Sequence, residues 1–299
     1  MDAKFITQAE SILASVKFPP QPEIVLRINE EVRSPQPDFA KISTLLTKDP
    51  ALSARVIKLA NSSLFQLSSP VKSISHAMTI LGLENFSRIV LTSALRDVLK
   101  SQHVTDNRLI AHLLSVAVVA DSALTSRLQE FELGNGIAYL CGLFHDVGMV
   151  AMMQKFPSYQ KEILDYSFGH FPDVVAVENQ KFTTNHCAVG SLVARTWNLP
   201  RTICDAILYH HDVDFPELIS DLTTIKLVAM IQLSDYFGNK YFYRSGQSSI
   251  FDMKQWSAEG FDATAPNVLF ELGLSVEDIE EMDESIDQKL AGLAEEARQ

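Results

Sequence analysis

The sequence predicts an all-α fold arranged as a two-lobed helical bundle, on three observations. Apolar residues return every three or four positions along most of the chain, the spacing of one helix face. Alternation of the kind that marks a half-buried strand is hard to find. Gly and Pro number only 12 each in 299 residues, which leaves few turn signals for a succession of short strands.

Taken in chain order, the first clear element lies between Phe39 and Ala60, where Ile42, Leu45, Leu46, Leu52, Val56, Ile57 and Leu59 share the helical period. Asp49-Pro50 interrupts it. Pro50 can open a new helix with Asp49 as its N-cap, so the segment reads as helix, stop, helix. The same period predicts helices over Ser73–Leu81, Asn85–Leu99, Leu109–Arg127, Ile137–Met153, Tyr159–Phe168, His186–Trp197, Pro200–His210, Ile225–Asn239 and Ser275–Ala297. Residues 1–100, punctuated by FPPQP, SPQPD and QLSSP, form the expected first lobe. Residues 101–245 form the second, and residues 246–299 an irregular connection followed by a C-terminal helix rich in acid. That helix reads as a solvated face closing the bundle.

Composition narrows the function classes. Hydrophobic residues at 46% and charged residues at 21% are globular proportions. Lys plus Arg at 25 against Asp plus Glu at 37 leaves a net charge of -12, which repels phosphate backbones and argues against nucleic acid as a partner. Cys141, Cys187 and Cys204 are odd in number and widely spaced, unlike a disulfide framework or a CxxC zinc site. The N-terminal stretch lacks the basic-then-apolar layout of a signal peptide, and no apolar run is expected to reach the roughly 18 residues of a membrane span. The expectation is a soluble, cytoplasmic chain with no membrane partner.

The pattern that carries chemistry is a series of His and Asp residues on consecutive predicted helices: His112, His145-Asp146, His186, His210-His211 and Asp235. Adjacent donors near a helix end are about 100° apart around the axis, so both can enter one cleft. Seven donors are too many for one tetrahedral zinc but suit two cations, with a carboxylate able to bridge them. A single histidine on an apolar helix is more often a core residue bonded to backbone. Five of them with two aspartates, including His145-Asp146 inside the otherwise apolar LCGLFHDVGMV, point to a site instead. His76, His103 and His170 fit no such arrangement and read as ordinary. Cys187, next to His186, reads as a buried structural thiol with no basic surroundings. Asn61-Ser62 reads as a helix stop, and Trp197, Asn198 and Pro200 as architecture.

These residues resemble a known pattern. His112, HDVG at 145–148 and Asp235 in LSDYF look like the H…HD…D signature of the HD superfamily of metal-dependent phosphohydrolases. His186 in NHCAVGSLVARTWNLP and the pair in AILYHHD are similar to the additional histidines of the binuclear HD-GYP branch. Over roughly residues 15–240 the chain resembles the HDOD family (HD-related output domain) most closely. FPPQPEIVLRI, TKDPALSARVIKLANSSLF and SISHAMTILGLENF carry that resemblance ahead of the histidine segments.

The resemblance implies an HD-like helical core in a bacterial signal-transduction module whose partners are signalling proteins. Many such modules have lost the metal ligands and act through protein contacts, whereas all seven ligand positions here keep a His or Asp. As implied by the superfamily, His112, His145, Asp146 and Asp235 hold one ion, and His186, His210 and His211 hold the other, with Asp146 bridging. The sequence departs from the active cyclic dinucleotide hydrolases at two places. DVDFPELISD stands where their GYP loop follows the His pair, and Met149 replaces the lysine of their HD-x-G-Lys segment. Two readings result. One is a signalling module with a binuclear divalent transition-metal site, iron or manganese ahead of zinc. The alternative is a phosphohydrolase acting on a nucleotide or other phosphate ester, with Asp146 as the bridging catalytic ligand. A cleft that binds a nucleotide or phosphate without cleaving it is a third.

Overall fold

Helix ends, more than helix interiors, decide where the chemistry-bearing residues fall in this chain. The computed structural model describes residues 3–16, 18–61, 69–101, 107–121, 137–164, 173–244 and 257–297, and among these there is helix and connection but no strand. The chain divides into two compact units, Met1–Phe18 with Asp106–Ala291 and Pro19–Thr105 with Gly292–Gln299.

The smaller unit contains α2 (Glu23–Val32), α3 (Phe39–Thr47), α4 (Pro50–Ala60) and α5 (Ile74–Ser101). The Asp38 carboxylate caps α3 by accepting from the N–H groups of Ala40 and Lys41. Asp49 caps α4 by accepting from Leu52 N at 2.9 Å, with Pro50 at the first helical position. The helix–stop–helix expectation holds. Asn61 ends α4 and does more than stop it. Its side chain donates to the Val71 carbonyl at 2.9 Å and accepts from Val71 N at 2.6 Å, clamping the chain ten residues on. The helices expected over 73–81 and 85–99 form one bent element, broken at Gly82, whose φ of 76° is open to glycine at little cost.

The larger unit opens with α1 (Ala3–Val16), which packs on α8 (Val147–Lys155) and α10 (His186–Thr196). Helical periodicity reports a buried face but not which neighbour covers it, so this pairing is invisible in sequence. Around these lie α6 (Asn107–Val119), α7 (Ile137–Phe144), α9 (Asp173–Phe182), α11 (Arg201–Tyr209), the short α12 (Phe215–Leu218) and the long α13 (Leu222–Arg244). Residues 160–164 form a π-helical turn; positions 165–168 of the helix expected there, like Ser62, His103 and His170, fall outside the described residues.

Three expectations are corrected. The helix read over 137–153 breaks at His145-Asp146, because Asp146 adopts φ -104° and ψ 11° and begins α8 as its N-cap. The stretch Ile137–Lys155 is, by length and composition, apolar enough for a membrane span, contrary to expectation, yet most of it is buried against other helices. Part of the segment read as irregular is helical: Ser257 caps α14 (Ala258–Thr264) through Gly260 N, and α15 (Pro266–Leu272) follows. The acidic α16 (Val276–Ala297) buries Ile279, Met282, Ile286 and Leu290. Its Asp283 pairs with Lys240 at 2.8 Å and with Arg244 at 2.8 Å, so one part of its charge is a docking contact with α13.

Close approach of α8 to α10 depends on glycine. A Cβ on Gly148 would sit 2.0 Å from the His186 carbonyl oxygen and 2.5 Å from Gly190 N. The backbones therefore touch where Asp146 and His186 must meet. Gly148→Ala is expected to cost about 3 kcal/mol through forced helix separation, read as a lower thermal midpoint. An unchanged midpoint would show that α8 and α10 are not held at this distance.

Candidate metal centre

All seven residues singled out in the sequence converge in the larger unit. His112 comes from the middle of α6, and His145 and Asp146 from the break between α7 and α8. His186 opens α10, His210 and His211 follow the end of α11, and Asp235 lies midway along α13. Every one is buried, at 0–7% exposure. His76 takes no part; it lies on α5, where its Nδ1 accepts from Lys72 N at 3.4 Å.

Asp146 organises the cluster by facing two ways. Its Oδ2 lies 3.4 Å from His112 Nε2 and 3.2 Å from His145 Nε2. Its Oδ1 lies 3.2 Å from His186 Nε2 and 3.3 Å from His210 Nε2. Asp235 Oδ1 closes the first side at 3.2 Å from His112 Nε2. An N-cap aspartate ordinarily accepts from the first N–H groups of its helix; this one makes no such bond, because its carboxylate is turned to the imidazoles. His211 belongs to the second side, its ring centroid 4.3 Å from that of His210 and 4.9 Å from that of His186.

The outer nitrogens fix the inner ones. A carbonyl can only accept, so His145 Nδ1–H donates to the Gly142 carbonyl at 2.7 Å, and His210 Nδ1–H donates to the Ile207 carbonyl at 2.7 Å. His186 Nδ1–H donates to Glu178 Oε2 at 2.7 Å. Each ring therefore presents Nε2 inward, the arrangement of metal-ligating imidazoles. Glu178, on α9, also accepts from His186 N at 3.2 Å and from the Tyr159 hydroxyl. Asn239 donates to Asp235 Oδ1 at 2.8 Å, and Asn185 caps α10 by accepting from Ala188 N at 2.9 Å.

Inner nitrogens so disposed need positive charge between them. His112 Nε2 and His145 Nε2 are 3.1 Å apart, and His186 Nε2 and His210 Nε2 are 3.4 Å apart. Facing lone pairs at those distances, beside carboxylate oxygens, are stable only with a proton or a cation among them. Without metal the protons supply it. Burial pulls His112 down, but Asp146 and Asp235 outweigh it and raise the imidazole to about 9. Burial likewise opposes His210, which Cys187 and Asp146 raise to about 10. Asp146 is held well below the usual carboxylate range, since the charges of His145 and His186 overcome its burial. His211 is pushed well below the usual imidazole value by burial and by its charged neighbours. The donor set could hold metal: imidazoles of fixed tautomer lie on both sides of one carboxylate, whose two oxygens face different histidine pairs.

Sequence reasoning missed Glu178, and it expected the burial of Cys187 but not its surroundings. Glu178 lies eight residues before His186 on a helix of mixed polarity, and no local signal separates it from a surface acid. Cys187 Sγ is 3.5 Å from His186 Nε2 and falls in one donor group with His186, His210 and His211, all ligand atoms within 4.8 Å of one another. Burial raises its pKa, but the charges of His186 and His210 outweigh burial and lower it. Its surroundings are basic, contrary to expectation.

Comparison with known proteins places these features in context. The HDOD domain matches residues 18–213. The chain is similar to a solved structure of an HDOD domain protein of unknown function from Geobacter sulfurreducens, 28% identical, covering 97% of both chains with a TM-score of 0.74. Two more solved structures share the fold. A candidate phosphohydrolase from Shewanella amazonensis is 19% identical over 94% of this chain and 97% of its own, with a TM-score of 0.66. A candidate signal transduction protein from Marinobacter aquaeolei is 20% identical over 95% of this chain and 60% of its own, with a TM-score of 0.70. The chain also matches an uncharacterized protein of Treponema pallidum, 22% identical over 212 residues, but spans only 41% of that relative's length.

Two outcomes test the geometry. Glu178→Gln, which weakens the hold on the His186 tautomer, is expected to lower metal affinity roughly 10–100-fold with the fold intact, as measured by competition with a chelating dye; equal affinity would remove Glu178 from the site. The second concerns protons. His112 and His210 are protonated at pH 7 in the metal-free protein and must be neutral to bind metal. Loading at pH 7 should therefore release at least about two protons. Apparent affinity should rise with pH and level off as the titrations near 9 and 10 complete. Calorimetry in buffers of different ionisation enthalpy counts the protons, and loading without release would contradict the ligand set.

Proposed function

The chain belongs to the HDOD family, and on that premise we propose that it is a bacterial signal-transduction module acting mainly through contacts with other signalling proteins, with a binuclear metal centre in its HD-like core. The observation that carries this reading is a complete set of candidate ligands, all of them shut away from solvent. All seven side chains are buried, and Met149, at the position of the lysine that the resemblance leads one to expect, is fully buried as well. The DVDFPELISD segment tucks Phe215 into the core where hydrolase relatives carry their GYP loop.

Two divalent ions, when bound in such a centre, supply Lewis acidity and an acidified water. The chain's own residues then divide the work. Asp146 neutralises charge on both sides of the cluster, Glu178 and the Gly142 and Ile207 carbonyls hold the imidazoles in one tautomer, and Asn239 orients Asp235. At the position where the resemblance leads one to expect a lysine, Met149 offers no cation to meet a phosphate. A missing lysine that touches the transition state costs on the order of a few kcal/mol of stabilisation. Iron or manganese suits five imidazoles and two carboxylates. The net charge of -12 favours protein partners over nucleic acid, and the expected setting is the cytoplasm. A second reading, hydrolysis of a nucleotide or other phosphate ester, has one observation in its favour: no ligand position has been lost.

Elemental analysis of untagged protein, prepared without chelator, decides between them together with an assay. About two equivalents of transition metal are expected in the wild type and a large loss in Asp146→Ala. The loaded protein is expected to leave cyclic dinucleotides, nucleotides and simple phosphate esters intact. Turnover that disappears in Asp146→Ala would establish the hydrolase reading instead. A wild type that stays metal-free after anaerobic reconstitution with iron or manganese would overturn both.

A further inference from the structure

The donor count of five imidazoles and two carboxylates leaves out a sulfur. Cys187 follows His186 at the start of α10, is 2% exposed, and its Sγ stands 3.5 Å from His186 Nε2. His186, Cys187, His210 and His211 form a single group of potential ligands. Among the described residues, the donors on the first side of Asp146 are nitrogen and oxygen, from His112, His145 and Asp235. The two sides of the bridging carboxylate are therefore chemically different.

Distances on the second side agree with four-coordination. A tetrahedral zinc with bonds near 2.0–2.1 Å to nitrogen or oxygen and 2.3 Å to sulfur sets edges of about 3.3 Å between nitrogens and about 3.6 Å between nitrogen and sulfur. The corresponding separations here are 3.4 Å for His186 Nε2 to His210 Nε2 and 3.5 Å for His186 Nε2 to Cys187 Sγ. Asp146 Oδ1 lies 3.2 Å from the first nitrogen and 3.3 Å from the second. His211 is in reach as a fifth donor, an expansion that zinc accommodates.

From this we infer that Cys187 is a thiolate ligand, which makes the second position of the centre a sulfur-containing, zinc-selective site beside a nitrogen–oxygen site of different preference. The inference rests on the proposed reading that the cluster holds metal. Binding replaces the thiol proton by the metal–sulfur bond, the proton passing to solvent, with no change of oxidation state. Thiolate is a soft ligand that selects zinc over manganese, so the two positions would load unequally from a mixed supply.

Cobalt(II) reports both claims separately. Metal-free wild-type protein is titrated with cobalt and followed in the visible and near-ultraviolet, with bound equivalents counted in parallel. The expected result is a sulfur-to-cobalt charge-transfer band, and zinc-loaded protein showing a sulfur neighbour at about 2.3 Å by X-ray absorption. Cys187→Ser should lose the band and weaken zinc binding roughly tenfold or more, while Cys204→Ser, a control at another buried thiol, keeps both. Cobalt bound with visible ligand-field absorption but no charge-transfer band in the wild type overturns the thiolate ligand and leaves the metal centre standing. Failure to bind cobalt at all overturns the metal centre and the inference with it. Because the decisive spectra are those of the wild type, poor folding of Cys187→Ser does not obscure the answer.

Discussion

Convergence of imidazole nitrogens on one buried carboxylate is the constraint on which the rest of the larger unit depends. Asp146, His112, His145, His186 and His210 are each at most 1% exposed, and a buried charge without a partner is costly. The cluster resolves this only by sharing charge: Asp146 is stabilised as an anion, His112 and His210 as cations, and His211 is kept neutral. Removing any one member leaves its neighbours buried and uncompensated. The helices that carry them must accordingly be held at fixed spacing. The glycine contact between α8 and α10 does that beside Asp146 and His186, and Gly142 does it between α7 and α6, where a Cβ would lie 2.6 Å from Ala117 Cα.

Helix termini place most of these donors, and termini carry partial charge. His186 opens α10, where burial and the positive end of the dipole oppose a charged imidazole, yet Cys187, Glu178 and Asp146 outweigh them and hold it well above the usual value. Glu178, accepting from His186 at both backbone N and ring Nδ1, opposes that dipole and ties the residue to α9. His210 lies at the other kind of end, the C-cap of α11, where its Nδ1–H satisfies the Ile207 carbonyl left open by the helix. Bonds that in an ordinary helix would merely tidy its ends are here spent on orienting imidazoles. The absence of any side-chain cap on α8 has the same origin: the Asp146 carboxylate cannot serve the helix and the cluster together.

How much of this was legible in sequence depends on whether the signal is local. Asp49-Pro50 announces a cap and a first turn through residue chemistry alone, and the structure agrees. Trp197-Asn198-Leu199-Pro200 reads as an ending, and Asn198 adopts the left-handed φ of 54° that asparagine tolerates. The seven His and Asp donors were recognisable because donor types recur on successive helices. The break at His145-Asp146 was not, since apolar residues keep the helical period straight across it and only the tertiary pull on the two side chains interrupts the helix. Glu178 was invisible for a related reason: its partner His186 is on another helix, and a glutamate beside asparagine and glutamine looks solvated. Cys187 was seen but judged by its sequence neighbours, whereas its basic surroundings come from His210 on α11 as much as from His186.

Drawn from five separate segments, the candidate ligands would give a metal centre a mechanical meaning beyond chemistry. His112 is on α6, His145 and Asp146 on the α7–α8 turn, His186 on α10, His210 and His211 behind α11, and Asp235 on α13. Cations held among them would cross-link α6, α7, α8, α10, α11 and α13 of the larger unit. Their binding free energy adds directly to its folding free energy, since an unfolded chain presents no such constellation. Protons do the same work less well: each satisfies one imidazole, and none joins four donors from different helices at once. A protein that works by presenting a helical surface to partners gains from such a centre even without turnover, because the rigidity of that surface then depends on what occupies its core. On this argument full retention of the ligands is no paradox beside the absent lysine. The lysine serves only a phosphate, whereas the ligands also serve the fold.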